Sequence, residues 1–177
     1  MWSASWDPLF EEFVLKRWGA LLRTTTFLVG DRHAAEDVLQ TALLRTARRW
    51  PQARDNPEAY VRRVLINLAK DGRRNRGRRL DEAPLDLSGG CPGSEPATPE
   101  PTGPEARDEL VGALRMLPPR QRAAVVLRYW EDLSVAETAA LMGCSEGTVK
   151  SAANRGLERL RTLLTPGHDL LLTRRLP

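Results

Sequence analysis

"SVAETAALMGCSEGTVKSAANRG", residues 134–156, places two helix starts eleven residues apart with a three-residue break between them. Ser134 and Glu137 have the spacing of a capping box, in which serine hydroxyl and glutamate carboxylate each take a backbone amide left unpaired in the first turn. Gly143 suits the left-handed residue that ends a helix, and Ser145 is placed to cap the next one. Ala136, Ala139, Ala140 and Leu141 are small or apolar and allow close packing. In the second helix Val149, Ala153, Leu157, Leu160 and Leu164 recur at helical spacing and predict a buried stripe. The opposite face opens with Lys150, Ser151, Asn154 and Arg155. Two helices joined by a short glycine-containing turn form a helix-turn-helix, whose second helix enters a DNA major groove about 12 Å wide. Any compact helical bundle can use such a corner, and it is the polar face that favours DNA.

Upstream of this unit, Glu105 to Met116 predicts a helix with Leu110, Val111 and Leu114 inside, broken at Pro118-Pro119. Pro119 suits the first position of the next helix, "RQRAAVVLRYW", with Ala124, Val125, Leu127 and Tyr129 as its apolar positions. Before it, residues 80–104 hold five acids, six prolines and no base, which reads as an extended acidic linker with little to build a core.

The first half predicts three helices. Asp7-Pro8 caps and starts one carrying Leu9, Phe10, Phe13, Val14, Leu21 and Leu22 until Gly30 stops it. A second starts after Asp31, with Ala34, Ala35, Val38, Leu39, Ala42 and Leu43 on its apolar face, and ends at Trp50-Pro51. Its other face carries Glu36, Asp37, Gln40 and Arg48 with Leu44 among them, a polar stripe around an apolar spot that suits a protein interface. An ordinary solvated face is the plainer alternative. The third helix opens at Asn56-Pro57 and runs through Tyr60, Val61, Val64, Leu65, Leu68 and Ala69 to Gly72. Its exposed face is expected to show Arg62, Arg63, Asn67, Lys70 and Asp71.

Charge points to the partner class. Net charge is +4, but residues 62–79 alone hold eight bases against one acid, Asp71. Such density repels itself unless a polyanion is near, which favours nucleic acid over a merely solvated tail. Arginine and lysine mainly hold phosphates, whereas Asn67 and Asp71 can read base edges. Apolar residues are 41% and charged residues 28%, ordinary for a globular protein, and no apolar run approaches the roughly 18 residues of a membrane span. The N-terminus has no secretory pattern, so a cytoplasmic protein is expected. Cys91 and Cys144 have no metal-site spacing and only His33 and His168 could join them, so no metal, cofactor or disulfide framework is expected. No Ser-His-Asp set or phosphate loop is visible, so no catalytic residue is assigned.

Together these residues resemble the bacterial extracytoplasmic-function (group IV) RNA polymerase sigma factors of the short actinobacterial kind. The resemblance covers residues 9–164 and implies an all-α fold of two small helical domains joined by a flexible acidic linker: 1–79, region-two-like; 80–104, the linker; 105–165, region-four-like with the helix-turn-helix; and 166–177, a short tail whose Leu170 to Leu172 could dock on a helix or partner. "DRHAAEDVLQTALLRTARRW" is similar to the helix that grips the polymerase clamp, which places core binding on Glu36, Asp37, Gln40, Leu44 and Arg48. "NPEAYVRRVLINLAKDGRRNRGRR" resembles the segment that opens and reads the promoter minus-ten element and points to Arg62, Arg63, Asn67, Lys70, Asp71, Arg73 and Arg74. "LPPRQRAAVVLRYWEDLSVAETAALMGCSEGTVKSAANRGLERLR" resembles region four, which reads the minus-thirty-five element, here through Thr148, Lys150, Ser151, Asn154 and Arg155. The implied partners are the clamp and flap of core RNA polymerase, promoter DNA and, as for many of the family, an anti-sigma factor. The linker would lie in a nucleic-acid channel of the polymerase.

Two departures stand out: Ala152 follows Ser151 where many of the family carry a base, and Gly156 replaces an alanine. The first removes a phosphate contact, and the second is expected to weaken the helix by roughly 1 kcal/mol. The rival readings are a stand-alone helix-turn-helix repressor or activator, which leaves the first half without a purpose, and an RNA-binding adaptor.

Overall fold

The computed structural model describes residues 6–76 and 104–164, with side chains over 6–69 and 106–164. The linker expected over 80–104 lies outside the described residues except for Pro104, as do residues 77–79 and the tail 166–177. Every regular element among the described residues is helical. In chain order they are α1 (Pro8–Val29), α2 (Arg32–Ala47), α3 (Trp50–Ala53), α4 (Pro57–Arg76), α5 (Pro104–Arg115), α6 (Pro119–Val125), a π-turn (Val126–Trp130), α7 (Val135–Met142) and α8 (Glu146–Leu163).

The helix ends follow local chemistry. Asp7 accepts from the Leu9 amide at 2.9 Å, Asp31 from Ala34 at 2.8 Å and Asn56 from Ala59 at 3.2 Å, so each first turn keeps one amide paired. Pro8, Pro57 and Pro119 sit at helix starts, where their missing amide costs nothing. Three boundaries differ from the sequence reading. The second helix stops at Ala47 rather than at Trp50, because Trp50 opens the short α3 and turns inward, 6% exposed, edge-on to Phe10 at 5.2 Å. The third passes through Gly72 to Arg76, since a helical glycine weakens a helix without breaking it. The fourth runs Pro104–Arg115, one residue earlier than expected at each end.

The first half folds as α1, α2 and α4 around Leu21, Leu39, Ala42, Leu43, Trp50, Val61 and Leu65, most of them predicted apolar positions. Leu9, expected on the inner face, is 60% exposed. In the second half α6 and α8 pack along their length, and α7 closes over them with Leu114, Leu127, Val149, Leu157 and Leu160 inside. Ala136 and Ala140 face outward, so only Ala139 and partly Leu141 provide the expected close packing, together with Met142. Val126 and Leu127 are buried in succession, which helical periodicity does not anticipate.

The two halves share a core. Phe27, Leu28 and Ile66 from the first half belong to the same buried cluster as Leu114, Leu117 and Leu127 from the second. The last turns of α1 lie against α5, α6 and the π-turn, and α4 lies against α7. Gly30 ends α1 in the left-handed conformation, φ 84°, and a Cβ there would stand 3.1 Å from that of Arg115, so this position needs glycine for both conformation and space. Thr24, Thr25 and Thr26 are buried in this last stretch, and Thr25 and Thr26 donate their hydroxyls to the Leu21 and Leu22 carbonyls at 2.6 and 2.8 Å.

Gly156 has a packing role that outweighs its helix penalty. It faces α6, and a Cβ would meet Val125 Cγ2 at 2.6 Å and the Gln121 carbonyl at 3.2 Å. The reading of Gly156 as a simple weakness is corrected: without a side chain, α8 approaches α6 closely. Gly156→Ala gains about 1 kcal/mol of helix propensity but is expected to lose more by overpacking, a net destabilisation of about 1 kcal/mol. A lower urea midpoint at unchanged slope is the outcome that checks it.

Candidate functional site

The placement of α8 is set by the caps on either side of the turn. Ser134 Oγ accepts from the Glu137 amide at 3.1 Å while Glu137 Oε2 accepts from the Ser134 amide at 2.8 Å, closing the predicted capping box at the start of α7. Gly143 ends α7 left-handed, φ 64°, and both it and Cys144 return their amides to the Ala139 carbonyl. Ser145 caps α8, accepting from the Thr148 amide at 3.3 Å. Val149, Ala153, Leu157 and Leu160 are buried against α6 and α7. That fixes the rotation of α8 and leaves Lys150, Ser151, Asn154 and Arg155 on its solvent face, as predicted.

Within this face the residues differ. Thr148 is half-buried and its hydroxyl lies 2.9 Å from that of Ser145, so it braces the cap at the start of α8. Ser151 Oγ donates to the Thr148 carbonyl at 3.1 Å. Lys150, Asn154 and Arg155 project outward, and Arg155 continues into a shallow groove lined by Gln121, Glu158, Arg159 and Thr162. Arg159 was not singled out from the sequence. Its place one turn after Arg155 was the available signal.

The α2 stripe also comes together. Asp37, Gln40, Leu44 and Arg48 are exposed on one side of the helix, and Leu44 keeps half its surface in solvent. Glu36 is half-buried and accepts from Arg32 Nε at 3.3 Å. Carboxylates, an amide and an arginine thus surround one exposed leucine.

The basic third-helix face is where sequence and structure part. Arg63 and Asn67 are exposed as expected. The helix backbone continues through Lys70, Asp71, Arg73 and Arg74, whose side chains lie outside the described ones. Arg62, expected on the exposed face, is only 18% exposed and lies between two carboxylates. Its Nη2 is 3.0 Å from Glu58 Oε1, and its Nε donates at 2.5 Å to Oε2 of Glu131 from the second half. Glu131 Oε1 accepts from the Thr24 hydroxyl. Ile66, one turn on, is 2% exposed within the shared core. The cause is the second half itself, which covers this side of α4.

Glu131 reaches the join because of the turn before it. The π-turn over Val126–Trp130 carries one residue more per turn than an α-helix, shifting the following side chains by about 100°. Trp130 then meets Phe27 edge-on at 4.6 Å, with Glu131 beside it. Asp132 takes a positive φ of 53°, which aspartate tolerates better than most residues, and Arg128 donates to the Leu133 carbonyl to close the loop.

Among the described residues no group of His, Cys, Asp or Glu could hold a metal ion. No helix among them is long and apolar enough to cross a membrane.

Residues 14–79 match the family Sigma-70 region 2 and residues 107–160 match Sigma-70, region 4. The chain is 45% identical over 154 residues to the RNA polymerase sigma-E factor of Streptomyces coelicolor, covering 86% of this chain and 84% of the relative. It is 34% identical to the RNA polymerase sigma factor CarQ of Myxococcus xanthus, covering 90% and 89%. The solved structure of the Bartonella quintana sigma factor RpoE in complex with the anti-sigma factor NepR superposes with a TM-score of 0.63 at 25% identity, over 87% of this chain and 95% of that one. A helical pair of this kind, with these two regions in this order, defines a transcription initiation factor of the sigma type. The chain belongs to the extracytoplasmic-function sigma factors.

The capping box gives a pH-dependent test. The Ser134 side chain, and next its amide, hold the Glu137 carboxyl below the ordinary glutamate value of 4.5, with Arg62 a smaller influence. A lowered folded value means that this contribution is present above pH 4.5 and is lost as pH falls through the folded midpoint. In Ser134→Ala the Glu137 midpoint, followed by carboxyl chemical shift, is expected to move up toward the ordinary glutamate value, with a lower urea midpoint at neutral pH from loss of the cap.

Proposed function

We infer that this sigma factor binds core RNA polymerase through α2, reads a minus-ten element through α4 and its basic extension, and reads a minus-thirty-five element through α8. It acts in the cytoplasm and has no catalytic activity of its own. The observation that carries the reading is the simultaneous presentation of two exposed stripes: Asp37, Gln40, Leu44 and Arg48 on α2, and Lys150, Ser151, Asn154 and Arg155 on α8. A stand-alone repressor needs only the second.

The division of labour follows from side-chain chemistry. Leu44 is the apolar anchor of the clamp contact, ringed by Glu36, Asp37, Gln40 and Arg48, which set orientation and exclude wrong partners. On α8, Lys150 and Arg155 suit guanine O6 and N7, Asn154 suits adenine, and Thr148 and Ser151 hold the helix start close to the groove edge. On α4, Arg62, Arg63, Lys70, Arg73 and Arg74 hold phosphates of the non-template strand. Asn67 and Asp71 take an unstacked base by hydrogen bonding, since Tyr60 alone could provide an aromatic face in this stretch. An anti-sigma factor is a further partner, supported by the complex in which the Bartonella quintana relative was solved.

Run-off transcription with purified actinobacterial core polymerase on a genomic promoter library tests the whole reading. Transcripts that depend on this protein and share two upstream boxes are expected, and Leu44→Ala should reduce core binding while leaving duplex binding by α8 intact. Tight duplex binding with no core-dependent initiation would identify a repressor instead. On the boxes so defined, Arg155→Ala is expected to lose about 1 to 3 kcal/mol at one base pair in band-shift assays with single-base variants. A uniform loss would assign Arg155 to phosphate anchoring.

A further inference from the structure

The later turns of α8 border a groove that the face at its start does not use. α8 closes on α6 at Gly156, and beside this contact lies a shallow groove of about 350 Å³ lined by Gln121, Arg155, Glu158, Arg159 and Thr162. Two guanidinium groups stand there against one carboxylate. Unlike Arg62, neither is held in an ion pair among the described residues. Gln121 Oε1 is buried and has no hydrogen-bond partner among the described residues. A buried acceptor is nearly always paired in a folded protein, so a donor is to be sought in the groove it lines. The Thr162 hydroxyl is committed to the Arg159 carbonyl at 2.8 Å, which leaves the guanidinium N–H groups.

We propose that Arg159 holds a phosphate of the DNA backbone at the rim of the upstream box, braced by Gln121, and so adds affinity without adding sequence information. The site rests on the reading of α8 as the minus-thirty-five helix. Arg159 lies nine residues beyond Lys150, roughly 14 Å along the axis at 1.5 Å per residue. The major groove is only about 8.5 Å deep, so with the start of α8 against base edges Arg159 stands level with the sugar-phosphate backbone. A guanidinium carries five N–H groups in a planar fork, so one can go to Gln121 Oε1 while others take phosphate oxygens. The brace also reduces the freedom that a long side chain loses when the phosphate binds. The Glu158 carboxylate opposes the phosphate, and Arg155 and Arg159 together outweigh it. A phosphate contact positions the helix and is blind to the base pair beside it. Arg155 and Arg159, one turn apart, thus divide the work: the first selects sequence and the second holds the backbone.

The test uses the full-length protein assembled with core polymerase, on duplex promoters mapped by run-off transcription, with binding read by fluorescence anisotropy between 50 and 200 mM salt. Arg159→Ala, Gln121→Met, the double variant and Arg161→Ala are compared, each checked for wild-type helicity by circular dichroism. Arg161 is an exposed arginine of the same helix outside the groove. Over that fourfold rise in salt, wild type is expected to lose about three- to fourfold more affinity than Arg159→Ala, the share of one phosphate contact. The loss caused by Arg159→Ala should be equal on all single-base variants of the upstream box. Gln121→Met should weaken binding in the wild-type background and add nothing to Arg159→Ala, whereas a role in packing alone would add in both. A loss confined to one base pair would make Arg159 a base reader and overturn the site. So would an unchanged salt slope, an equal loss in Arg161→Ala, or additive losses for Gln121 and Arg159. Wild-type protein that adds no promoter binding to core polymerase is the separate result that removes the reading of α8, and the site with it.

Discussion

The arrangement of this protein turns on one carboxylate. Glu131 leaves the second half at the end of the π-turn and is bound by Thr24 from α1 and Arg62 from α4. Its energetic part is orientation rather than bulk stability, since a buried pair of charges recovers in Coulomb attraction about what it loses in hydration. The bulk term is apolar: Phe27, Leu28 and Ile66 are nearly fully buried with the second-half core, and complete burial of such side chains is worth about 1.5–3 kcal/mol each. Apolar contact closes the halves, and the carboxylate fixes how they close.

The same economy of space governs α8. Its polar face is only as well aimed as its buried face is fixed, and that face is fixed by the close approach of α8 to α6 at Gly156 together with Val149, Ala153, Leu157 and Leu160. The capping box and the left-handed Gly143 set where α7 begins and ends, so the turn has no slack. Position 156 is glycine, and Val125 fills the space that a methyl group there would need.

Much of the candidate site was legible because its determinants are local. Caps at Asp7, Asp31, Asn56, Ser134 and Ser145 depend on residues two or three apart, and the buried stripes of α2, α4 and α8 depend on the 3.6-residue repeat. The exposed stripe on α2 and the face of α8 followed as the complements of those stripes. Arg62, Ile66 and the threonines of α1 were not legible in this way. Their surroundings come from residues about 70 to 107 positions away in sequence, as for the Arg62–Glu131 and Thr24–Glu131 bonds. The π-turn was missed for a related reason: its extra residue breaks the repeat on which the reading of "RQRAAVVLRYW" relied.

By itself the sequence determined the helices, their order, the helix-turn-helix and the exposed faces of α2 and α8, because short-range capping and periodic burial are written in neighbouring residues. Only the tertiary structure decided which side chains the rest of the chain covers, Arg62 above all. Whether an arginine on a helix faces water or a carboxylate depends on what the rest of the chain lays over it, and the residues that do so here, Trp130 and Glu131, are aimed by a backbone irregularity rather than by any repeat in their own sequence.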